Sequence, residues 1–162
     1  MDNLNFNEKL AELLFPNITK SPADYEKMYP ERNLPEGAKV TRIGPSPTGF
    51  VHLGNLYNAI IGERLAHQSS GVFYLRVEDT DAKREVEGAV DLILSAMSYF
   101  GIYFDEGVTE GDGHKGNYAP YRQRLRKDIY QCFAKELVKN GLAEKEEVKD
   151  EEGRKLKAYR LV

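Results

Sequence analysis

The 162-residue sequence holds a single cysteine, Cys132. One thiol cannot close an intrachain disulfide, and a cysteine-based zinc site within the chain is excluded with it. No apolar run approaches the roughly 20 residues needed to cross a bilayer. The opening residues, MDNLNFNEK, are acidic and polar, unlike a cationic leader with an apolar centre. An excess of positive charge is also lacking: 23 Lys and Arg stand against 26 Asp and Glu, a formal net charge of −3. A whole-molecule polycation match to nucleic acid is therefore excluded, and any RNA contact must be a local basic patch. There is no internal repeat, and low complexity is confined to a charged stretch near the end. These absences point to a cytoplasmic chain without a membrane partner.

What is present suffices for a core. Hydrophobic residues make up 41% and charged residues 30%, and a chain of this length buries roughly two-thirds of its unfolded surface. Residues 1–38 read as an N-terminal helical extension. Leu4, Phe6, Leu10, Leu13 and Leu14 suggest a short helix over Asn3 to Leu14, and Ser21-Pro22 reads as a second helix start, serine as cap and proline in the first turn. Pro30, Pro35 and Gly37 then break the chain. From 39 to 143 strands and helices alternate. Val40 to Ile43 is a strand candidate. A helix beginning near Gly54 or Asn55 carries Leu56, Ala59, Ile60, Ile61, Leu65 and Ala66 around most of its circumference, predicting burial on more than one side. Val72 to Val77 (VFYLRV) is β-branched and aromatic and reads as a buried strand. Val86, Ala89, Val90, Ile93, Leu94, Met97 and Phe100 repeat at helical spacing up to Gly101. Residues 105–118, with four glycines, read as a loop. A third helix is expected from about Pro120 to Asn140, with Tyr121, Leu125, Ile129, Cys132, Phe133 and Leu137 on one stripe and Cys132 as a small core residue. Residues 144–162 form a mixed-charge tail, read as a hairpin or a single strand.

Strand, helix, strand and helix in succession argue a right-handed βαβ unit and a parallel sheet, the α/β class. Ligands bind such sheets beyond the C-terminal ends of the strands. Two loops lie there, 44–55 and 78–82. In the first, prolines stiffen Gly44-Pro45-Ser46-Pro47-Thr48-Gly49, Ser46 and Thr48 offer hydroxyls, and Gly49 and Gly54 allow close backbone approach. His52 precedes a helix N-terminus, where free N–H groups and the helix dipole favour anions such as a triphosphate. An ordinary turn with a surface histidine is the plainer reading of these residues.

The run Arg42 to Asn55 resembles the first signature of class I aminoacyl-tRNA synthetases, with His52-Leu53-Gly54-Asn55 at its end. The Pro-Ser-Pro-Thr-Gly stretch is similar to the glutamyl branch, which includes the glutaminyl and glutamyl-queuosine enzymes. Leu75-Arg76-Val77-Glu78-Asp79-Thr80-Asp81, Phe104-Asp105-Glu106-Gly107 and Tyr118-Ala119-Pro120-Tyr121-Arg122-Gln123 extend the resemblance in order. It implies half of a Rossmann-like nucleotide-binding fold, parallel strands with flanking helices. It also implies ATP-dependent activation of L-glutamate to glutamyl-adenylate and its transfer to tRNA(Glu). Magnesium would enter with ATP, held by phosphates and water, and no metal or zinc ligands are expected in the chain.

The matched positions imply roles. His52 and Thr48 are the candidate catalytic residues, His52 supporting the phosphates. Pro45, Ser46, Thr48, Gly49, His52, Gly54 and Asn55 would take ATP, Gly54 leaving room for adenine. Arg42, Gly44, Ser46 and Glu78 would take glutamate: Arg42 a carboxylate, Glu78 the ammonium, Ser46 a further hydrogen bond. The plainer reading of Arg42 and Glu78 is an ion pair between neighbouring strands. Asp79, Thr80 and Asp81 precede a helix and read as caps, with direct ligand contact as the alternative. Arg122, Arg124 and Lys127, with Arg126, Lys115 and His114, form the one local basic concentration. They read as a solvated face or as a contact to tRNA phosphates.

The sequence departs from the family after Ala143, where a charged run replaces an aromatic, cysteine-containing segment. A lysine-rich second signature and an anticodon-binding domain are absent as well. The expectation is therefore a catalytic-domain fragment, with weak binding and little aminoacylation unless the C-terminal half of the same enzyme joins it. A non-catalytic truncated paralogue binding tRNA or nucleotide, and a glutaminyl or glutamyl-queuosine relative, are the alternatives.

Overall fold

The computed structural model describes residues 2–149 and 152–161; Met1, Val162, and Asp150 and Glu151 of the charged run lie outside the described residues. The elements are α1 (Asp2–Leu14), α2 (Pro22–Met28), β1 (Val40–Ile43), α3 (Leu53–Gln68), β2 (Val72–Leu75), α4 (Ala89–Tyr99), β3 (Glu106–Val108), β4 (His114–Lys115), α5 (Lys127–Lys139), β5 (Ala143–Lys149) and β6 (Lys155–Leu161). Among the described residues no helix is long and apolar enough to cross a membrane. The chain divides into two units: residues 31–126, and residues 1–30 together with 127–162.

In the central unit, β1, β2 and β3 are parallel and adjacent, and β4 returns antiparallel beside β3. Parallel neighbours require crossovers; α3 joins β1 to β2, and α4 joins β2 to β3. This is a βαβαβ half of a Rossmann-like fold. Alternation along β2 and its extension separates two faces. Phe73, Leu75 and Val77 are fully buried and pack with Ala59 and Ala66 of α3 and Val90, Ile93 and Met97 of α4. The opposite face is polar. Arg42 stands beside Tyr74, and Tyr74 beside Glu106, so one row crosses all three parallel strands.

Four expectations need correction. Helix α3 is buried only along Ala59, Glu63 and Ala66; Tyr57, Ile60, Ile61 and Leu65 are exposed, because one sheet face accommodates one helical stripe. Residues 105–118 are not simply a loop: β3 forms there because Gly107, at φ 141°, lies where a Cβ would come within 2.7 Å of the Leu75 carbonyl. The helix after Pro120 begins only at Lys127, preceded by a 3₁₀ turn at Gln123–Arg126. Residues 121–123 instead bracket the extension of β2, with Val77 N donating to Tyr121 O at 2.9 Å and Gln123 N donating to Val77 O at 2.9 Å. Leu125, expected on the apolar stripe, is consequently exposed. Finally, α4 starts at Ala89 rather than Val86, because Gly88 takes a left-handed conformation at its N-cap.

In the other unit, Ser21 caps α2 as expected, with Asp24 N donating to Ser21 Oγ at 3.3 Å and Ser21 N donating to Asp24 Oδ2 at 2.8 Å. Ala11, Phe15, Ile18 and Tyr25 form a core with Cys132, Val138 and Ala143. Burial pushes the Cys132 thiol pKa up. Strands β5 and β6 pair antiparallel, from Ala143 opposite Leu161 to Lys149 opposite Lys155.

Candidate functional site

The loop after β1 is shaped by its prolines. Pro45 and Pro47 turn inward and are buried, whereas Ser46 and Thr48, each following a proline, are exposed. Proline carbonyls remain acceptors although the ring nitrogens cannot donate. Pro45 O receives Glu78 N at 2.9 Å, and Pro47 O receives Val86 N at 2.9 Å. These bonds fasten the first loop to the second. Ile43 O likewise receives Arg76 N at 3.1 Å, so extended backbone continues past β2 and carries Glu78 to the rim beside Gly44.

At that rim Arg42 Nη1 and Glu78 Oε1 are in direct contact as an ion pair. Arg76 Nη2 approaches the same Glu78 oxygen at 3.5 Å. A Cβ on Gly44 would lie 2.5 Å from Arg42 Nη1 and 2.5 Å from Glu78 Oε1, so a side chain there would push the two charged ends from their present places. Both partners of the Arg42–Glu78 pair are about one-third exposed, at 35% and 33%. Such a pair contributes at most about 1 kcal/mol to folding, which leaves it open to exchange with a ligand.

Beside it, a cavity of about 500 Å³ is lined by Gly44, Pro45, Ser46, Thr48, Gly49, Val51, His52 and Asn55, with Ile93 and Met97 of α4. Arg42 lines a neighbouring hollow that shares Gly44, Pro45 and Asn55 with it. His52 is the N-cap residue of α3. The Asn55 side chain is engaged locally, Oδ1 accepting from His52 N at 3.1 Å, which fixes the first helical turn. A Cβ at Gly49 would meet open space, and one at Gly54 would meet only the His52 ring, at 3.1 Å. Neither glycine is demanded by packing of the chain, and each leaves bare backbone at the site. Gly54 itself is exposed in the first turn of α3 and does not line the cavity.

The other sequence-selected residues lie elsewhere. Asp79 does not cap a helix: its fully buried carboxylate accepts Arg124 N at 2.9 Å and faces Arg122 Nη1 at 3.4 Å and Arg124 Nε at 3.2 Å. Helix α4 begins ten residues later in the sequence, so Asp79 is taken by the segment that brackets Val77. Arg122 is buried, and Glu85 pairs with Arg122 and Arg124 at 3.5 and 2.8 Å. Lys127 opens α5 in the other unit. Sequence reading missed Arg76. The signal was the alternation in VFYLRVE, in which Tyr74, Arg76 and Glu78 share a face opposite the apolar Phe73, Leu75 and Val77.

Comparisons with known proteins bear on the family. The family model for the catalytic domain of class I tRNA synthetases (E and Q) matches residues 39–161. Glutamate–tRNA ligase of Clostridium perfringens strain 13 is 58% identical over 136 residues, covering 84% of this chain and 25% of the relative. That of Acetivibrio thermocellus is 60% identical over 137 residues, again 84% and 25%. The crystal structure of glutamate–tRNA synthetase from Elizabethkingia anophelis aligns with a TM-score of 0.62 at 37% identity, covering 71% of this chain and 22% of that one. A glutamate–tRNA ligase from Elizabethkingia meningosepticum, solved in complex with its amino acid, aligns with a TM-score of 0.63 at 38% identity, covering 72% and 22%. The chain thus spans about a quarter of the length of the curated relatives it matches. With the half-Rossmann sheet and the proline-stiffened loop ahead of α3, a match of this extent establishes that the chain belongs to the class I aminoacyl-tRNA synthetases of the glutamyl and glutaminyl branch.

Proposed function

We propose that this chain provides one wall of the ATP and glutamate site of a glutamate–tRNA ligase. The observation that carries the reading is the Arg42–Glu78 pair at a bare-backbone rim, beside the cavity that holds His52. A zwitterion with a second carboxylate needs both signs of charge in fixed places. Arg42 takes a carboxylate in two-pronged geometry, Glu78 takes the ammonium, and Ser46 adds a hydroxyl. One internal ion pair is thereby exchanged for two with the ligand. A relative of this family solved in complex with its amino acid supports an amino acid as the ligand class.

The Mg–ATP substrate occupies the neighbouring cavity, magnesium being held by phosphates and water. Free amides at the start of α3 and the His52 imidazole hold phosphate oxygens, Thr48 adds a hydroxyl, and Gly49 and Gly54 allow close approach. A glutamate carboxylate oxygen attacks the α-phosphorus in line, and pyrophosphate leaves. A ribose hydroxyl at the 3′ end of tRNA(Glu) then attacks the acyl carbon, and AMP leaves. The protein's contribution is positioning and charge stabilisation. We assign the reaction to the cytoplasm, with tRNA(Glu) as partner. Lys127, and separately Arg124 by the 44% of its side chain that is exposed, are the residues we assign to tRNA phosphates; Arg124 also pairs with Asp79, and Arg122 is buried in that cluster.

The test is titration of the isotopically labelled 162-residue chain with Mg–ATP and with L-glutamate, followed by NMR. Glutamate should perturb Arg42, Gly44 and Glu78, and Mg–ATP the loop 46–55. Arg42→Ala should abolish the first response, and His52→Ala should weaken the second. Responses that survive both substitutions unchanged would overturn the reading. Pyrophosphate exchange after adding the separately expressed remainder of a matched relative tests the chemical step.

A further inference from the structure

We propose that Arg76 is a positioning residue for glutamate. It holds the Glu78 carboxylate in place when a ligand carboxylate draws Arg42 away. The inference rests on the reading that this rim takes glutamate.

Glu78 Oε1 is shared: Arg42 contacts it directly, and Arg76 Nη2 stands at 3.5 Å, too far for a strong hydrogen bond and near enough to become one. Both contacts fall on the same oxygen. If Arg42 turned to a ligand and nothing replaced it, Glu78 would lose its closest counter-charge as it is asked to receive an ammonium. Arg76 is the cation able to take over. It shares the outward face of the β2 extension with Glu78, two residues apart, and its side chain is 23% exposed.

The surroundings of Arg76 supply a reason for it to move in that direction. Its Nε is buried and has no hydrogen-bond partner among the described residues. A small cavity of about 90 Å³ adjoins it, lined by Arg32, Tyr74, Tyr118, Tyr121 and Arg126. The neighbouring guanidiniums are already held. Arg32 pairs with Glu106 at 2.6 Å and lies 3.7 Å from the Tyr118 ring centroid; Arg126 Nη1 donates to the carbonyls of Tyr118 at 3.1 Å and Pro120 at 2.9 Å. Positive charge at this end of the pocket favours displacement of the Arg76 guanidinium toward Glu78. The cavity provides the space for its side chain to readjust.

A structural role and a positioning role are separated by a ligand that lacks the ammonium. Glutarate keeps both carboxylates of glutamate but has no amino group, so it engages Arg42 without needing Glu78. Binding of L-glutamate and of glutarate to the full chain is measured by NMR titration for wild type, Arg76→Gln and Arg76→Lys. Arg76→Gln should weaken glutamate binding by roughly tenfold or more, the size of one charge-assisted contact, and leave glutarate nearly unchanged. Arg76→Lys should recover part of the glutamate affinity. Equal losses for both ligands in Arg76→Gln, or no loss for either, would overturn the proposal while leaving the glutamate site standing. Failure of the wild-type chain to bind glutamate at all would overturn both. The amide spectrum of each variant, compared with wild type, reports whether the fold is intact; if Arg76→Gln is unfolded, Arg76→Lys carries the comparison.

Discussion

Arg42 and Glu78 meet so close to Gly44 that a side chain there would have to displace both: a Cβ would stand 2.5 Å from an atom of each. The pair is a third exposed and adds little to stability. Gly44→Ala should therefore separate the two charges without unfolding the unit. We expect a glutamate affinity at least about tenfold lower and a stability change within about 1 kcal/mol, checked by NMR titration and by denaturant unfolding of the same sample. A large stability loss with unchanged glutamate binding would make Gly44 a packing residue only.

Asp79 and Asp81 are close in sequence and unlike in consequence. The Asp79 side chain is fully buried against Arg122 and Arg124 and accepts a main-chain amide, whereas Asp81 is exposed and pairs locally with Arg84 at 2.6 Å. Removing Asp79 takes one carboxylate from the buried Arg122, which keeps Glu85 at 3.5 Å, and takes the acceptor from Arg124 N, costing about 3 kcal/mol or more. Asp79→Ala should destabilise by that order and Asp81→Ala far less, since an exposed pair is screened by water. Chemical denaturation of the two variants decides; similar costs for both would contradict the buried network.

His67 gives the central unit a pH dependence of its own. Its Nε2 lies 2.9 Å from Asp105 and its Nδ1 3.0 Å from the buried Glu63, and Asp105 also accepts Phe73 N at 2.8 Å. The hydrogen bond to Asp105, opposed by some desolvation and aided by Glu63, raises the imidazolium pKa above its ordinary 6.5. Below 6.5 the histidine is charged in the folded and the unfolded chain, and its contribution is fully present. As pH rises above 6.5 the unfolded chain loses that proton first, and the contribution fades until pH passes the raised folded value. Thermal unfolding of wild type should therefore show stability falling from pH 6 to pH 8 relative to His67→Gln. Parallel pH profiles would rule out this coupling.

The parts of the molecule legible in the sequence are those set by local rules. Val40–Ile43 alternates and ends at a proline loop, Ser21-Pro22 carries its own cap, and Gly44, Pro45, Ser46, Thr48, Gly49, His52 and Asn55 of the glycine- and proline-rich loop line one cavity, although Gly54 does not. What escaped was set by partners distant in the chain. Tyr121 to Gln123 look helical until Val77 offers two backbone bonds. Gly107 reads as a loop breaker until Leu75 needs a neighbour without a side chain. Asp79 reads as a cap until Arg122 and Arg124, more than forty residues on, fold against it. Arg76 was hidden because VFYLRV reads as uniformly buried, although its alternation already distinguishes a polar face.

Gly54 separates a binding requirement from a folding one. It lies in the first turn of α3, is exposed, and would present an added Cβ only to the His52 ring, at 3.1 Å. Alanine is the better helix former, by up to about 1 kcal/mol, so Gly54→Ala should leave stability equal or slightly higher. The same methyl group displaces the exposed imidazole and occupies space that bare backbone leaves for a nucleotide. Gly54→Val adds bulk at the same place, and β-branching offsets the helical gain. Mg–ATP binding, followed by NMR titration of residues 46–55, should weaken in Gly54→Ala and disappear in Gly54→Val, with L-glutamate binding at Arg42 and Glu78 retained in both. Full Mg–ATP binding by the valine variant would show that no ligand approaches the start of α3, and the phosphate role of His52 would fall with it.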